Sequence, residues 1–172
     1  INFSKQKSFV QSLEDYPNLV VIQTLSKAWG LAGLRVGMCF ANEPVIRYLN
    51  KVKAPYNISM VAQELVLKAL EEVGQVNDMI QHLVEMRIAL AEVIASMPYV
   101  QKVYPSDTNF LLVKIPHATE LYKYLCNKGI ILRDRSSLPN CEDSVRITVG
   151  NEQENTELVD AMAEWIEKTF PA

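Results

Sequence analysis

The sequence predicts an α/β chain in two parts joined by a long helix, and three observations carry that expectation. Residues 19–23 (LVVIQ) form a continuous apolar run of strand length, as expected for a strand buried on both faces of a sheet. From Val76 to Met97, apolar residues recur at three-and-four spacing through Met79, Ile80, Leu83, Met86, Leu90, Val93 and Ile94. That is the stripe of one helix, roughly 30–35 Å long at about 1.5 Å per residue. Beyond Pro98 short strands and helices alternate, which suits a small α+β layer. The expected division is 1–75 for the first part, 76–97 for the linking helix and 98–172 for the second part.

The elements follow in order. Residues 4–13 read as a short polar helix, closed by Asp15, Tyr16, Pro17 and Asn18. After the strand at 19–23 comes a glycine-punctuated stretch, 26–37, and a second apolar run at 36–41. Asn42, Glu43 and Pro44 then form a helix start of cap, acid and proline, and that helix ends before Pro55. Residues 61–73 predict a further helix with Gly74 as its stop. In the second part, 100–104 and 110–115 read as strands, and 118–127 as a helix stopped by Gly129. Strands at 130–135 and 145–149 precede a final helix, 151–170, with Asn151 and Glu154 at capping-box spacing.

Composition limits the function. Apolar residues make up 49% of the 172, enough for a real core. Lys and Arg total 17 against 20 Asp and Glu, a net charge of −3, which argues against a nucleic-acid binder held by its overall field. No apolar run approaches the length of a membrane span. The three cysteines, Cys39, Cys126 and Cys141, have no metal-type spacing and read as reduced thiols of a cytoplasmic protein. His82 and His117 lack ligand partners at usable spacing, so no metal site is expected. The methionines at 79, 86 and 97 belong to the helix stripe.

The stretch with chemical content is residues 24–37, TLSKAWGLAGLRVG. Ser26 and Lys27 lie where the strand emerges into a loop, the end at which open α/β sheets bind ligands. Gly30, Gly33 and Gly37 allow close backbone approach. The planar fork of Arg35 suits phosphate oxygens, and a lysine beside other cations can become nucleophilic enough to attack a carbonyl. Together they suggest a carbonyl-binding lysine beside a phosphate anchor. Further along, alternation sets Arg146 and Thr148 opposite Val145, Ile147 and Val149, so an arginine leaves an otherwise apolar strand on its open face.

The pattern Ser26-Lys27-x-x-Gly30-Leu31-Ala32-Gly33-x-Arg35-x-Gly37 closely resembles the cofactor-lysine motif of fold-type I aminotransferases that use pyridoxal 5′-phosphate (PLP). Thr108-Asn109-Phe110, Ile131-Leu132-Arg133-Asp134 and Val145-Arg146-Ile147-Thr148-Val149-Gly150 agree with it, and the likeness is strongest to the histidinol-phosphate aminotransferase group. The resemblance implies the C-terminal half of that fold: a remnant of the large-domain α/β sheet, a long inter-domain helix and a small α+β domain. It implies that Lys27 holds the cofactor and moves the proton between substrate Cα and cofactor C4′, with Ser26 and Arg35 on the cofactor phosphate. Arg133 and Arg146 would bind the anionic tail of the substrate, with Asn109 lining the site. Arg135, on the same side as Arg133, reads as a surface charge, and Trp29 either packs beside the cofactor or seals the loop.

The implied reaction is transamination of histidinol phosphate with 2-oxoglutarate by a cytoplasmic homodimer, with no nucleic-acid or membrane partner. One departure is large. The family's acid for the pyridine nitrogen, and its glycine-rich phosphate loop, belong upstream of the position matching Ile1, and Asp15 in its polar turn is no substitute. The expectation is that this chain alone is not competent. Two alternatives remain at this point. One is a PLP-dependent decarboxylase of a phosphorylated amino acid of the threonine phosphate type; the other is a non-catalytic folded fragment that only associates with itself or its missing half.

Overall fold

The computed structural model describes residues 2–171. The chain divides into two compact units, Ile1–Ile80 and Gln81–Ala172. The division falls inside the longest helix.

The first unit opens with a single 3-10 turn, Phe9–Ser12, capped by the Ser8 hydroxyl. The polar helix expected over 4–13 is therefore reduced to one turn. It has no buried residue to anchor it, and tertiary packing rather than propensity holds short helices. Strand β1 (Val20–Thr24) pairs antiparallel with β2 (Gly37–Ala41), Val20 opposite Ala41 and Thr24 opposite Gly37. These two form a sheet of their own, so β1 is not buried on both faces: Ile22 is 80% exposed.

Helix α1 (Glu43–Val52) carries Pro44 in its first turn as expected, but Asn42 does not cap it through its side chain. The Asn42 amide instead donates to the Leu13 carbonyl at 2.9 Å, tying the helix start to the segment before β1. Ser59 caps α2 (Met60–Glu71). Gly74 does not stop a helix. The break is the single residue Glu72, whose amide reaches only back to the Ala69 carbonyl, and α3 (Val73–Ala95) includes Gly74 in its first turn. The core of this unit is small, centred on Leu25, Val36 and Ala62.

The second unit is built on an antiparallel sheet of order β3-β4-β6-β5. Its strands are β3 (Lys102–Val103), β4 (Phe110–Lys114), β5 (Arg133–Asp134) and β6 (Ser144–Thr148). One face is covered by α4 (Ala118–Asn127) and α5 (Glu152–Thr169). Leu111 and Val113 of β4 and Val145 and Ile147 of β6 point into that layer and meet Leu121, Leu125, Met162 and Trp165. Period-two alternation leaves Phe110, Leu112 and Arg146 on the other face. Helix α4 stops at Gly129, whose φ of +83° only glycine adopts readily. Helix α5 begins with a complete capping box between Asn151 and Glu154. The strand expected over 130–135 shrinks to two paired residues because Ile130 still closes the end of α4, donating to the Leu125 carbonyl.

No described helix is long and apolar enough to cross a membrane. Among the described residues no cluster of histidine, cysteine and acidic side chains could hold a metal.

Candidate functional site

The first cluster lies at the looped end of the β1·β2 ribbon, beyond the Thr24–Gly37 pair. Leu25 donates its amide to the Val36 carbonyl at 3.3 Å, so the chain leaving β1 and the chain entering β2 are pinned side by side. Ser26 follows Leu25 and Arg35 precedes Val36, so the same bond brings the backbone of both residues to this end of the ribbon. The loop between them is locally determined. Gly30 returns its amide to the Lys27 carbonyl at 3.0 Å, and Leu31 to the Leu25 carbonyl at 3.0 Å. Leu25 and Ala28 are buried on either side of exposed Lys27, so the backbone is held while the amine remains accessible. Arg35 sits at φ +57°, a left-handed conformation that costs a non-glycine residue energy. Its guanidinium donates to the Ala32 carbonyl at 3.0 Å. Gly37 lies so close to β1 that a Cβ there would come within 3.2 Å of the Gln23 carbonyl oxygen.

This donor set suits PLP. A phosphate would meet a hydroxyl and a guanidinium, and an aldehyde would meet an accessible primary amine, while Gly30 at φ +66° leaves open space beside the loop. Asp15 lies exposed in the turn before β1, as its sequence context implied.

The second cluster is on the open face of the four-stranded sheet. Arg133 of β5 stands directly opposite Arg146 of β6 in the register. The Arg146 guanidinium lies over the Phe110 ring, 5.1 Å from its centroid, and its Nε is buried with no hydrogen-bond partner. Burial lowers the pKa of Arg146 first, and the charges of Arg135 and Arg133 lower it further. Asn109 lies one residue before β4. Its carbonyl accepts from the Val149 amide at 3.0 Å, extending the ladder, and its side chain alternates with that of Phe110.

Two arginines gain significance only in three dimensions. Arg87 of α3 is 7% exposed and donates to the Thr108 carbonyl at 2.8 Å, holding the turn that leads to Asn109. Its place on the apolar stripe, four residues after Leu83, was the available signal. Arg135 is half-buried on the Arg146 side of β5 rather than a free surface charge. The same turn is stapled by Ser106, whose hydroxyl donates to the Phe110 carbonyl at 2.6 Å.

Comparisons with known proteins bear on the family and the fold of the chain. The model for aminotransferase class I and II matches residues 2–162. The histidinol-phosphate aminotransferase of Flavobacterium psychrophilum is 43% identical over 159 residues, 92% of this chain and 46% of that protein. That of Cytophaga hutchinsonii is 44% identical over 162 residues, 94% of this chain and 47% of its own length. The chain thus spans about half the length of the curated relatives it matches. Among solved structures, the histidinol-phosphate aminotransferase from Clostridium acetobutylicum superimposes with a TM-score of 0.88 at 20% identity, covering 97% of this chain and 51% of that one. L-threonine-O-3-phosphate decarboxylase from Porphyromonas gingivalis gives 0.86 at 24% identity, covering 97% and 53%. The last two likenesses establish the fold: an α/β arrangement shared with part of PLP-dependent enzymes. With a family model spanning nearly its whole length, and relatives above 40% identity, the chain belongs to the aminotransferase class I and II family.

Proposed function

We propose that this chain carries the cofactor lysine and the substrate-anion site of a PLP-dependent aminotransferase that converts histidinol phosphate with 2-oxoglutarate. The observation that carries the reading is the gathering of Ser26, Lys27 and Arg35 at one end of the β1·β2 ribbon. PLP, when bound, supplies the electron sink that lets a Cα–H bond of an amino substrate break. Lys27 would hold the cofactor through its amine, and the same amine would serve to take the Cα proton and to return it at C4′. Buried Leu25 and Ala28 keep that amine in place while it moves the proton. Ser26 and Arg35 bind the cofactor phosphate, the hydroxyl and the guanidinium each donating to its oxygens. Arg133 and Arg146 receive the substrate phosphate on the open sheet face, and Asn109 lines the site from the turn before β4 rather than from that face.

A decarboxylase of a phosphorylated amino acid would use the same lysine and arginines. The curated relatives at 43–44% identity are named as aminotransferases, which supports the transamination reading.

In this reading residues 1–75 belong to the cofactor-binding domain, 76–97 to the linking helix and 98–172 to the small domain of a cytoplasmic enzyme. The apolar side chains left open in the first unit, Ile22, Val52 and Met60 among them, support assembly into a homodimer of longer chains. The 172 residues alone bind PLP weakly and do not turn over.

The test is Lys27→Ala in a polypeptide of the relatives' length. Loss of the visible absorbance of bound cofactor together with loss of transamination is the expected result. Transamination at the normal rate would overturn the assignment.

A further inference from the structure

The open face of the second unit holds more positive charge than a pair of arginines. Arg135 donates its amide to the Ser144 carbonyl at 2.8 Å, which carries the β5·β6 ladder one residue beyond Asp134. Alternation then puts Arg135 on the same side as Arg133, diagonal to Arg146 across the ladder. Asp134 between them is turned away, accepting from the Thr119 hydroxyl at 2.7 Å and the Ser136 amide at 2.8 Å. The ion pairs of the described residues involve Arg47, His117, Lys128 and Lys168, and none of these three arginines.

Charges along an edge strand are usually explained as protection against strand pairing, with the charges in water. That account does not cover this face. Arg146 is on β6, which lies between β4 and β5, and its Nε is buried and unpartnered. Arg135 is half-buried, whereas Arg133 is exposed. Like charges brought together in a partly desolvated place repel, and a bound anion would relieve that repulsion.

We propose that Arg135 is the third member of this anion site and gives it a preference for a dianionic phosphate over a monoanionic carboxylate. The inference rests on the reading that Arg133 and Arg146 receive a phosphorylated substrate, and it adds the residue that sets charge selectivity. Two guanidiniums can satisfy a carboxylate in bidentate fashion. A third adds little for a single negative charge and much for a second one. The order of influences on Arg146 agrees, since the charge of Arg135 acts on it more strongly than that of directly opposed Arg133.

The test needs no turnover. The 172-residue chain is titrated at pH 7.5 with methyl phosphate, a dianion at that pH, and with acetate, and the Cζ and Nε resonances of Arg146 are followed by 13C-detected NMR. The expected result is that Arg135→Gln weakens methyl phosphate binding about tenfold, the loss of one charged hydrogen bond, and changes acetate binding less than about twofold. Arg135→Lys, which keeps the charge, should retain most of the preference. Arg47→Gln, in the exposed pair with Glu43 on α1, should change neither. Methyl phosphate that leaves the Arg146 resonances unmoved in the unaltered chain would overturn the proposal. Equal weakening for both anions, or no weakening for either, would do so as well. A positive titration beside a full-length protein that fails to transaminate would remove the functional reading and leave the anion site standing.

Discussion

Arg146 and Arg133 face one another as a direct cross-strand pair, and Arg146 keeps a buried, unpartnered Nε beneath that contact. Like charges opposite each other in a sheet destabilise it. Arg146 sits at the centre of apolar β6 and Arg133 on the two-residue edge strand β5, so the pair is a cost to the fold that an anion bound there would offset. The Phe110 ring beneath Arg146 offsets part of the cost through a cation–π contact and fixes the direction of the guanidinium.

From this pair follows a prediction on a polypeptide of the relatives' length. Arg133→Gln or Arg146→Gln should raise KM for the phosphorylated substrate about tenfold to hundredfold, the loss of about 1.5–3 kcal/mol of charged hydrogen bonding. The absorbance of bound cofactor should not change, because Ser26, Lys27 and Arg35 are untouched. Steady-state kinetics beside visible spectra check both halves.

Arg87 gives a second prediction, on stability. It is buried and supplies the donor for the Thr108 carbonyl, so Arg87→Met should leave that acceptor unsatisfied at a cost of about 1–3 kcal/mol. The urea midpoint of the 172-residue chain measures it. Arg87→Lys, which can still donate from a shorter reach, should lose less.

The contrast between the two units gives a third. Met162 is fully buried in the second unit, and Met162→Ala should cost about 2–5 kcal/mol. Ile22 is 80% exposed, and Ile22→Ala should stay within about 0.5 kcal/mol. Denaturant unfolding of both variants checks the pair.

How far the fold was legible from sequence varied with how local its causes are. Asn151 with Glu154 and Gly129 marked the limits of α5 and α4 because capping chemistry is decided within one turn. The Ser26–Gly37 loop was legible for a like reason, its glycines and charged residues lying within a dozen positions. Gly74 misled, since a glycine in a first helical turn costs little and Glu72 took the break instead. The burial of Arg87 and the position of Arg135 depend on partners over twenty and nine residues away, at Thr108 and Ser144, and no local pattern reports those. The residue types of the candidate site were readable, but which arginines share a face was set by sheet register.

The last prediction concerns pH and the α4·α5 seam. Glu164 accepts hydrogen bonds from Lys128 and from Lys168, the latter at 2.6 Å, and these hold its pKa down at about 2 from an ordinary 4.5. The pKa values of both lysines are raised, Lys128 chiefly and Lys168 first of all by their bonds to Glu164. The sign follows from linkage: a carboxyl held below its unfolded value stabilises the fold above that value and stops doing so as it protonates. Stabilisation by Glu164 should therefore be complete above about pH 4.5 and fade as the pH falls toward about 2. The lysine contributions have the opposite slope, present at neutral pH and fading only in strong alkali as the pH rises through their raised values. Glu164→Gln removes both. Urea midpoints of the unaltered chain and the variant should differ by a constant amount from pH 5 to pH 8 and converge as the pH is lowered from 4.5. The group is well exposed, so salt should shrink the difference at every pH. A difference that stayed constant down to pH 2 would show that the Glu164 contacts act through packing rather than charge.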